Sequence, residues 1–268
     1  MSRIRDFYLQ RLASTMTKRE RADLSGSAIV FAPHPDDETL GCGGTIIRKI
    51  AVGASVRVVF MTAGSRSHTR FISPVDLKVI RRQEAVEATQ KLGVSDVTFL
   101  AFEDGQIDHS LQSIAKCIKE ILLEHKPDEI YVTHFKEPHA DHRALYEGAI
   151  AAVEALSEPP KVYAYPVWYW RQWPWTSLKG GSKRETVRIV QESLSNKLGV
   201  GAFDEFQHSV DVRDVLEQKR MALACHATQM KRFENDPNWP ILEDVANGDF
   251  LDCFFQPYEV FREVTLWK

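Results

Sequence analysis

Apolar and polar positions alternate with two different periods over the first 160 residues. Short apolar runs rich in β-branched residues predict four strands, at 27–32, 55–63, 97–102 and 129–135. Longer segments between them carry apolar residues at helical spacing and predict four helices, at 45–52, 75–94, 111–126 and 139–156. Because parallel neighbours need crossover helices, this alternation predicts a Rossmann-like α/β fold with a mostly parallel sheet and helices on both faces.

The regions on either side of this alternation have different patterns. Residues 1–25 are polar and charged and predict an amphipathic helix before a βα core at 27–158. Over 160–268 the alternation weakens, and we expect a smaller, irregular part rich in aromatics that completes the pocket of a single domain. Its local patterns predict an extended stretch, an exposed loop, a strand and a helix, at 161–175, 177–185, 203–212 and 215–230.

Composition narrows the class of protein. The formal net charge of −3 over 268 residues argues against a nucleic-acid partner. The N-terminal segment lacks the apolar centre of a signal peptide, and no stretch approaches the roughly 20 apolar residues that span a bilayer. The cysteines lie far apart without a CxxC pair, which argues against a disulfide framework or zinc knuckle: Cys42, Cys117, Cys225 and Cys253. Together these features predict a cytoplasmic protein.

Acidic residues and histidines follow two of the predicted strands. The stretch "PHPDDE" (33–38) comes directly after the first strand, and "EPHADHRAL" (137–145) follows the fourth. Carboxyl ends of parallel strands meet at one edge of a sheet, where the sites of α/β proteins form. Adjacent carboxylates repel and are costly to desolvate unless a cation lies between them. We therefore expect the two clusters to share a bound cation.

A divalent metal ion fits this combination. His34, Asp37 and His142 supply two imidazoles and one carboxylate, which leaves a coordination position open for water, as in catalytic zinc sites. Zn²⁺ is the expected ion, although the same ligands also suit Fe²⁺. Asp36, one residue before the carboxylate ligand, then remains free to act as a base on the metal-activated water.

The second cluster also offers a hydrogen-bond donor. His139 lies three residues before the expected ligand His142. We expect neighbouring Asp141 to hold His139 in place and to favour its protonated form. His139 could then donate to an oxyanion that develops near the metal.

The pair "PHPDDE" and "HADH" resembles the signature of the PIG-L/LmbE family of metal-dependent N-acetylglucosaminyl deacetylases. The resemblance covers roughly residues 27–230. It implies removal of an acetyl group from the amide nitrogen of an N-acetylglucosamine-type sugar or sugar conjugate. It also implies the same roles as the chemistry above: metal ligands His34, Asp37 and His142, general base Asp36, and electrophile His139.

Three further stretches resemble elements of the same family, namely "RRQEAVEATQKLGV" (81–94), "FEDGQID" (102–108) and "KRMALACHATQM" (219–230). By this resemblance Arg81, Asp104 and His226 contact the substrate, and Gln229 approaches the site. We expect Glu84 to lie on an exposed helix face, paired in charge with Arg81 three residues earlier.

The substrate and some alternatives stay open at this point. The aromatic stretch "VWYWRQWPW" (167–175) could stack on sugar rings or build core. A non-haem iron oxygenase would use the same ligands but usually has an antiparallel barrel, and a non-catalytic sugar-binding protein would not need Asp36. A dinucleotide-binding protein is disfavoured because no GxGxxG follows the first strand. The expected partner is a small N-acetylated sugar or glycoconjugate, and the oligomeric state is left open.

Overall fold

Eight strands form one mixed sheet in this computed structural model, which describes residues 2–177, 183–233 and 236–266. The strands, β1 to β8, are Thr17–Lys18, Ala28–Ala32, Val56–Phe60, Asp96–Phe99, Glu129–Thr133, Lys161–Tyr165, His208–Asp211 and Tyr258–Glu263. Their order across the sheet is β1-β7-β8-β6-β5-β2-β3-β4. The pairs from β6 to β4 are parallel, whereas β8 is antiparallel to both β6 and β7. The prediction of a mostly parallel sheet is confirmed.

Helices cover both faces of the sheet. The α-helices, α1 to α10, are Ser2–Thr15, Asp37–Ala51, Pro74–Leu92, Leu111–His125, Ala140–Glu154, Lys183–Ser195, Gly201–Glu205, Leu216–Cys225, Ala227–Met230 and Asp249–Asp252. Helices α2, α3 and α8 contact one another over one hydrophobic cluster, and α4 packs on α5 over the other. The expected aromatic C-terminal part supplies α6 to α10 and the antiparallel strand β8.

The burial of strand β2 explains why the sheet has a hydrophobic cluster on each of its two faces. All five of its residues are buried, because a parallel strand covered by helices on both faces has no solvent side. Successive side chains point to opposite faces, so Val30 joins the cluster under α2 while Ile29 and Phe31 join the cluster under α4 and α5.

Two predicted boundaries near the N-terminus differ from the structure. The first crossover helix begins at Asp37, not at residue 45, because Asp37 and Glu38 suit the positive end of a helix. The predicted helix over 1–25 ends at Thr15, and the following Thr17–Lys18 pair joins the sheet beside β7. Pairing with a distant strand therefore overrides the local helical pattern there.

Three predictions in the C-terminal part need revision. The strand predicted at 203–212 is a short helix, Gly201–Glu205, followed by the strand His208–Asp211. Only Lys161–Tyr165 of the stretch 161–175 is a strand, because a 3₁₀ turn follows. Most of the loop predicted at 177–185 lies outside the described residues, and Lys183 already belongs to α6.

The glycines of "GCGG" (41–44) lie inside α2 and allow it to pack closely against the sheet. A Cβ on Gly41 would lie 2.1 Å from a ring carbon of Tyr165, and one on Gly44 would lie 2.5 Å from Val212. Their function is therefore close packing between helix and sheet, which agrees with the rejection of a dinucleotide-binding loop.

No helix within the described residues has the length and apolar character needed to cross a membrane.

Candidate active site

Both acidic–histidine clusters lie at the carboxyl ends of the neighbouring strands β2 and β5, as predicted. They line a cavity of about 420 Å³. Its lining includes the charged residues Asp36, Arg66 and Asp104 and the apolar residues Trp168 and Leu242. The C-terminal part of the chain thus contributes part of this lining.

The backbone at the start of α2 turns the two adjacent aspartates in different directions. Asp36 precedes the first residue of the helix and has φ 123°, a conformation that costs a non-glycine residue energy and is found at functional sites. Asp37 Oδ2 accepts a hydrogen bond from the His34 backbone N–H at 3.0 Å. The same oxygen lies 3.4 Å from His34 Nδ1 and 3.4 Å from His142 Nε2.

These three side chains form a candidate metal site. One ligand atom from each of His34, Asp37 and His142 lies within 4.8 Å of the others. Neither ring nitrogen of His142 makes a hydrogen bond among the described residues, although buried polar nitrogens normally do, and Nε2 is the one that faces Asp37. A metal ion would satisfy this nitrogen, and two imidazoles with one carboxylate suit zinc. The residues present therefore fit a divalent metal.

Carboxylates also face the outer nitrogen of each of these histidines. His34 Nε2 lies 3.2 Å from both Asp104 Oδ1 and Asp141 Oδ2. His142 Nδ1 lies 3.2 Å from Glu137 Oε2. Such outer carboxylates fix the tautomer and ring orientation of metal-binding histidines.

Asp36 faces the cavity and an arginine. Its Oδ2 lies 3.3 Å from the Arg81 guanidinium, and its backbone N–H donates to Glu38 Oε2 at 3.0 Å. Burial raises the pKa of Asp36 to about 7, against the opposing effect of Arg81 and with a further rise from neighbouring Asp37. A carboxylate with this pKa can accept and return a proton near neutral pH.

His139 lies on the cavity wall, but its electrostatics differ from the sequence-based expectation. Partial burial, together with the nearby imidazoles of His142 and His34, lowers the pKa of His139 to about 4, and the opposing effect of Asp141 is smaller. The shift in the pKa of His139 therefore runs against the expectation that Asp141 favours its protonated form.

Asp141 has a different partner from the expected one. It accepts hydrogen bonds from the backbone N–H groups of Gly105 at 2.7 Å and Ile107 at 3.2 Å, and it lies against His34 rather than holding His139. Burial would raise the pKa of Asp141, but the contacts with His34 and Gly105 lower it on balance. Asp141 therefore holds the loop after β4 and contacts His34, a candidate metal ligand.

Asp104 lies in the cavity wall, where the resemblance places it. It accepts from the Arg66 backbone N–H at 2.8 Å. Burial opposes ionisation, but the contacts with His34 and Arg66 hold the pKa of Asp104 below its ordinary value.

Arg81 and Glu84 are both buried and both hold loops. Arg81 donates to the backbone oxygens of Pro35 and Gly64, which follow β2 and β3, so that it fixes the turn that carries Asp36. Glu84 accepts from the backbone N–H and the hydroxyl of Thr228, each at 2.7 Å. The expectation of an exposed Glu84 is wrong because α8 and α9 pack over this face of α3.

His226 is completely buried and does not line the cavity, whereas Gln229 does. His226 Nε2 lies 3.0 Å from Glu38 Oε1. Burial alone would lower the pKa of His226, but Glu38 raises it on balance. His226 thus lies behind Asp36, where it supports the glutamate that holds the Asp36 backbone.

The aromatic stretch divides between the cavity and the core. Trp168 lines the cavity and stacks on Phe250, with ring centroids 4.8 Å apart. Trp170 and Trp175 are buried in the core and pack edge to face on each other. Most of this stretch therefore builds core, and one tryptophan reaches the cavity.

Sequence reasoning missed several cavity and supporting residues. Glu38 lies within "PHPDDE" and Glu137 within "EPHADHRAL". Their closeness in sequence to the candidate metal ligands could have indicated that they lie near the site. Arg66 and His68 in the loop after β3, and the wall at 240–242, gave no comparable signal because folding brings them to the cavity from separate parts of the chain.

The fold and the site define an α/β protein with a candidate His–His–Asp metal site at the carboxyl end of a parallel sheet. Residues 29–153 match the PIG-L family, described as "GlcNAc-PI de-N-acetylase". The probable N-acetyl-α-D-glucosaminyl L-malate deacetylase 2 of Bacillus cereus is 28% identical over 215 residues, which are 78% of this chain and 86% of that protein. The chain is therefore similar to the PIG-L family over residues 29–153, and its similarity to curated deacetylases extends beyond that range.

Two solved structures have the same fold. The N,N'-diacetylchitobiose deacetylase of Pyrococcus horikoshii has a TM-score of 0.61 at 22% identity, over 97% of this chain and 88% of that chain. GalB, the 4-carboxy-2-hydroxymuconate hydratase of Pseudomonas putida, also has a TM-score of 0.61, at 16% identity over 90% and 97% of the two chains. Proteins named for two different reactions share this fold, so the reaction has to be argued from the site.

Proposed function

We propose that this protein is a zinc-dependent hydrolase that removes the acetyl group from the amide nitrogen of an N-acetylglucosamine-type sugar or sugar conjugate. One observation carries the proposal. Both adjacent aspartates line the cavity but have different neighbours, because Asp37 faces two histidines whereas Asp36 faces Arg81. An amide hydrolase needs both a metal ligand and a separate base at this place.

The metal would be held by His34, Asp37 and His142. A zinc ion bound there supplies a water of lowered pKa and polarises the acetyl carbonyl. Asp104, Asp141 and Glu137 keep the two imidazoles oriented through their outer nitrogens.

Asp36 is the proposed general base. Its carboxylate accepts the proton of the water as the oxygen attacks the acetyl carbonyl carbon. It then returns that proton to the departing amine nitrogen, so that a C–O bond forms, the C–N bond breaks, and acetate and the free amine leave. The pKa of about 7 lets the same group do both near neutral pH.

His139 is the proposed donor to the carbonyl oxygen. The lowered pKa of His139, about 4, favours the neutral imidazole at pH 7, and we propose that it donates through a ring N–H rather than as a cation. Trp168 also lines the cavity and offers an aromatic ring against which the apolar face of a sugar ring can pack.

The test is to load the purified protein with zinc, incubate it with a panel of N-acetylated glycosides, and measure free amine and acetate. We expect equal amounts of both products and loss of activity on chelation. Asp36→Asn should lower turnover by about 10²–10⁴-fold, the usual effect of losing a general base, with zinc content unchanged.

Asp214→Asn is the matched control, because this aspartate is 67% exposed and pairs with Arg48 away from the cavity. The proposal is wrong if the zinc-loaded protein binds these glycosides without releasing amine, or if the iron-loaded protein consumes oxygen with them instead. Near-normal turnover of Asp36→Asn would remove the base from the mechanism.

A further inference from the structure

Glu137 is a buried carboxylate that the proposed reaction does not use directly. It is 1% exposed, and its Oε2 lies 3.2 Å from Nδ1 of the expected ligand His142, a close charge contact that does not have the geometry of a hydrogen bond. Nδ1 is the nitrogen on the far side of the ring from Asp37, which faces Nε2. A carboxylate here favours the tautomer with the proton on Nδ1, and this tautomer leaves the Nε2 lone pair free for a metal.

The same carboxylate also binds the start of the aromatic turn. It accepts hydrogen bonds from three successive backbone N–H groups, those of Val167 at 2.8 Å, Trp168 at 2.7 Å and Tyr169 at 3.1 Å. Val167 precedes the 3₁₀ turn Trp168–Trp170, so these donors would otherwise be unsatisfied helix-start groups. An ionised carboxylate is the natural partner for such a group of donors.

The turn held in this way reaches the cavity. Trp168 lines the cavity and stacks on Phe250. One buried side chain therefore lies between a metal ligand and the part of the wall where we expect the sugar to pack.

We propose that Glu137 is a positioning residue that joins the metal site to the cavity wall: it orients His142 for the metal and at the same time fixes the turn that carries Trp168. This inference rests on the proposed metal site. It adds that metal binding and ordering of the turn that carries Trp168 are coupled, because both depend on the position of the Glu137 carboxylate.

The variant Glu137→Gln tests the first half of the proposal. Glutamine has nearly the same shape, but its NH₂ group cannot accept a hydrogen bond. The NH₂ group must therefore point at an N–H donor, either of His142 or of the turn, and one of these two contacts is lost. Zinc affinity, measured by competition with a chromophoric chelator, should fall by about 10–100-fold, the usual effect of removing such an outer partner.

Glu205→Gln is a matched control within the same molecule. Glu205 is also a buried carboxylate beside a buried histidine, 3.5 Å from His134 Nε2, but His134 is not part of the metal site. Its replacement should leave zinc affinity within about twofold of the parent, which separates metal positioning from a general loss of a buried charge.

Hydrogen–deuterium exchange of the unaltered protein tests the second half and does not depend on any variant folding. Zinc should slow exchange of the amides of Val167, Trp168 and Tyr169, which donate to Glu137. In Glu137→Gln this zinc effect should disappear.

The outcomes separate the two proposals. If the unaltered protein does not bind zinc, the proposed function and this inference both fail. If it binds zinc but the exchange of residues 167–169 is unchanged, or if Glu137→Gln binds zinc as tightly as the parent, only the inference fails. A Glu137→Gln protein that does not fold leaves the decision to the exchange experiment on the parent.

Discussion

The two ends of helix α2 carry buried charges that differ in how they are balanced. At the C-terminal end, Lys49 Nζ donates to Glu129 Oε2 at 2.9 Å and to the Leu24 backbone oxygen at 3.1 Å. Arg19 binds Glu129 Oε1, and the Tyr131 hydroxyl donates to Oε2. Every charge at this end has an opposite charge or a hydrogen-bond partner within the chain.

At the N-terminal end of α2 the acidic groups are not balanced in the same way. Asp36 and Asp37 are adjacent and buried, and His142 Nε2 beside them has no hydrogen-bond partner in the described part of the chain. Both ends suit the helix dipole, with acids at the start and a lysine at the end, so the dipole does not explain the difference. We infer that the first cluster stabilises the fold, whereas the second, in which Arg81 faces Asp36 but His142 Nε2 lacks a hydrogen bond, serves to bind a cation.

The largest expected effect on stability is at the balanced end. Lys49→Met removes a donor from Glu129 and from the Leu24 backbone oxygen, whereas Arg19 still faces Glu129. Because each buried acceptor left unsatisfied costs about 1–3 kcal/mol, the free energy of unfolding should fall by about 3 kcal/mol in urea denaturation without added metal. Lys116→Met is the control, because Lys116 is 79% exposed and such surface pairs contribute about 0–1 kcal/mol. If Lys49→Met lowers the free energy of unfolding by less than about 1 kcal/mol, the charges at the C-terminal end of α2 do not stabilise the fold as we expect.

At the unbalanced end, stability should depend on zinc. Free zinc at about 100 times its dissociation constant should raise the free energy of unfolding by about 2.7 kcal/mol. Asp37→Asn should abolish this increase because it removes the anionic ligand. The measurement is urea denaturation with and without zinc, and Lys49→Met should retain the full zinc effect despite its lower stability. Equal zinc stabilisation of Asp37→Asn and the parent would remove Asp37 from the ligand set.

The smallest effect on stability is expected at a third group of charges, in which His134 and Lys136 face Glu205. Burial would raise the pKa of Glu205, but His134 and Lys136 lower it to about 2. Because the folded pKa is below the ordinary value of 4.5, the stabilisation by Glu205 is present above pH 4.5 and is lost as the pH falls towards 2. Urea denaturation at pH 6 and pH 3 should show a smaller acid-induced loss for Glu205→Gln, by about 1 kcal/mol. An unchanged loss would mean that Glu205 is not paired in solution.

Much of the fold and the two motifs could be predicted from the sequence, because both rest on local signals. Strand and helix periods differ, so the alternating elements were recognisable, and each motif directly follows its strand. The carboxyl ends of parallel strands must meet, so the proximity of His34, Asp37 and His142 followed from the order of elements. The roles of these residues in hydrolysis stay a prediction.

The orientation of side chains between the motifs could not be predicted. Asp141 turns to His34 instead of His139, and Glu84 is buried against Thr228 although its helix pattern favours exposure. In both cases the partner comes from a part of the chain more than 100 residues away. Spacing along one element carries no information on such a partner.

The sequence by itself determined the alternating α/β architecture and the collection of imidazoles and carboxylates at one edge of the sheet, because periodicity and strand order are properties of the chain. Only the tertiary structure decided which nitrogen of each histidine faces which carboxylate, how the φ of 123° at Asp36 separates it from Asp37, and that Glu137 reaches the turn of Trp168. These features depend on where distant segments pack against one another, and packing is settled by the whole core rather than by any local stretch.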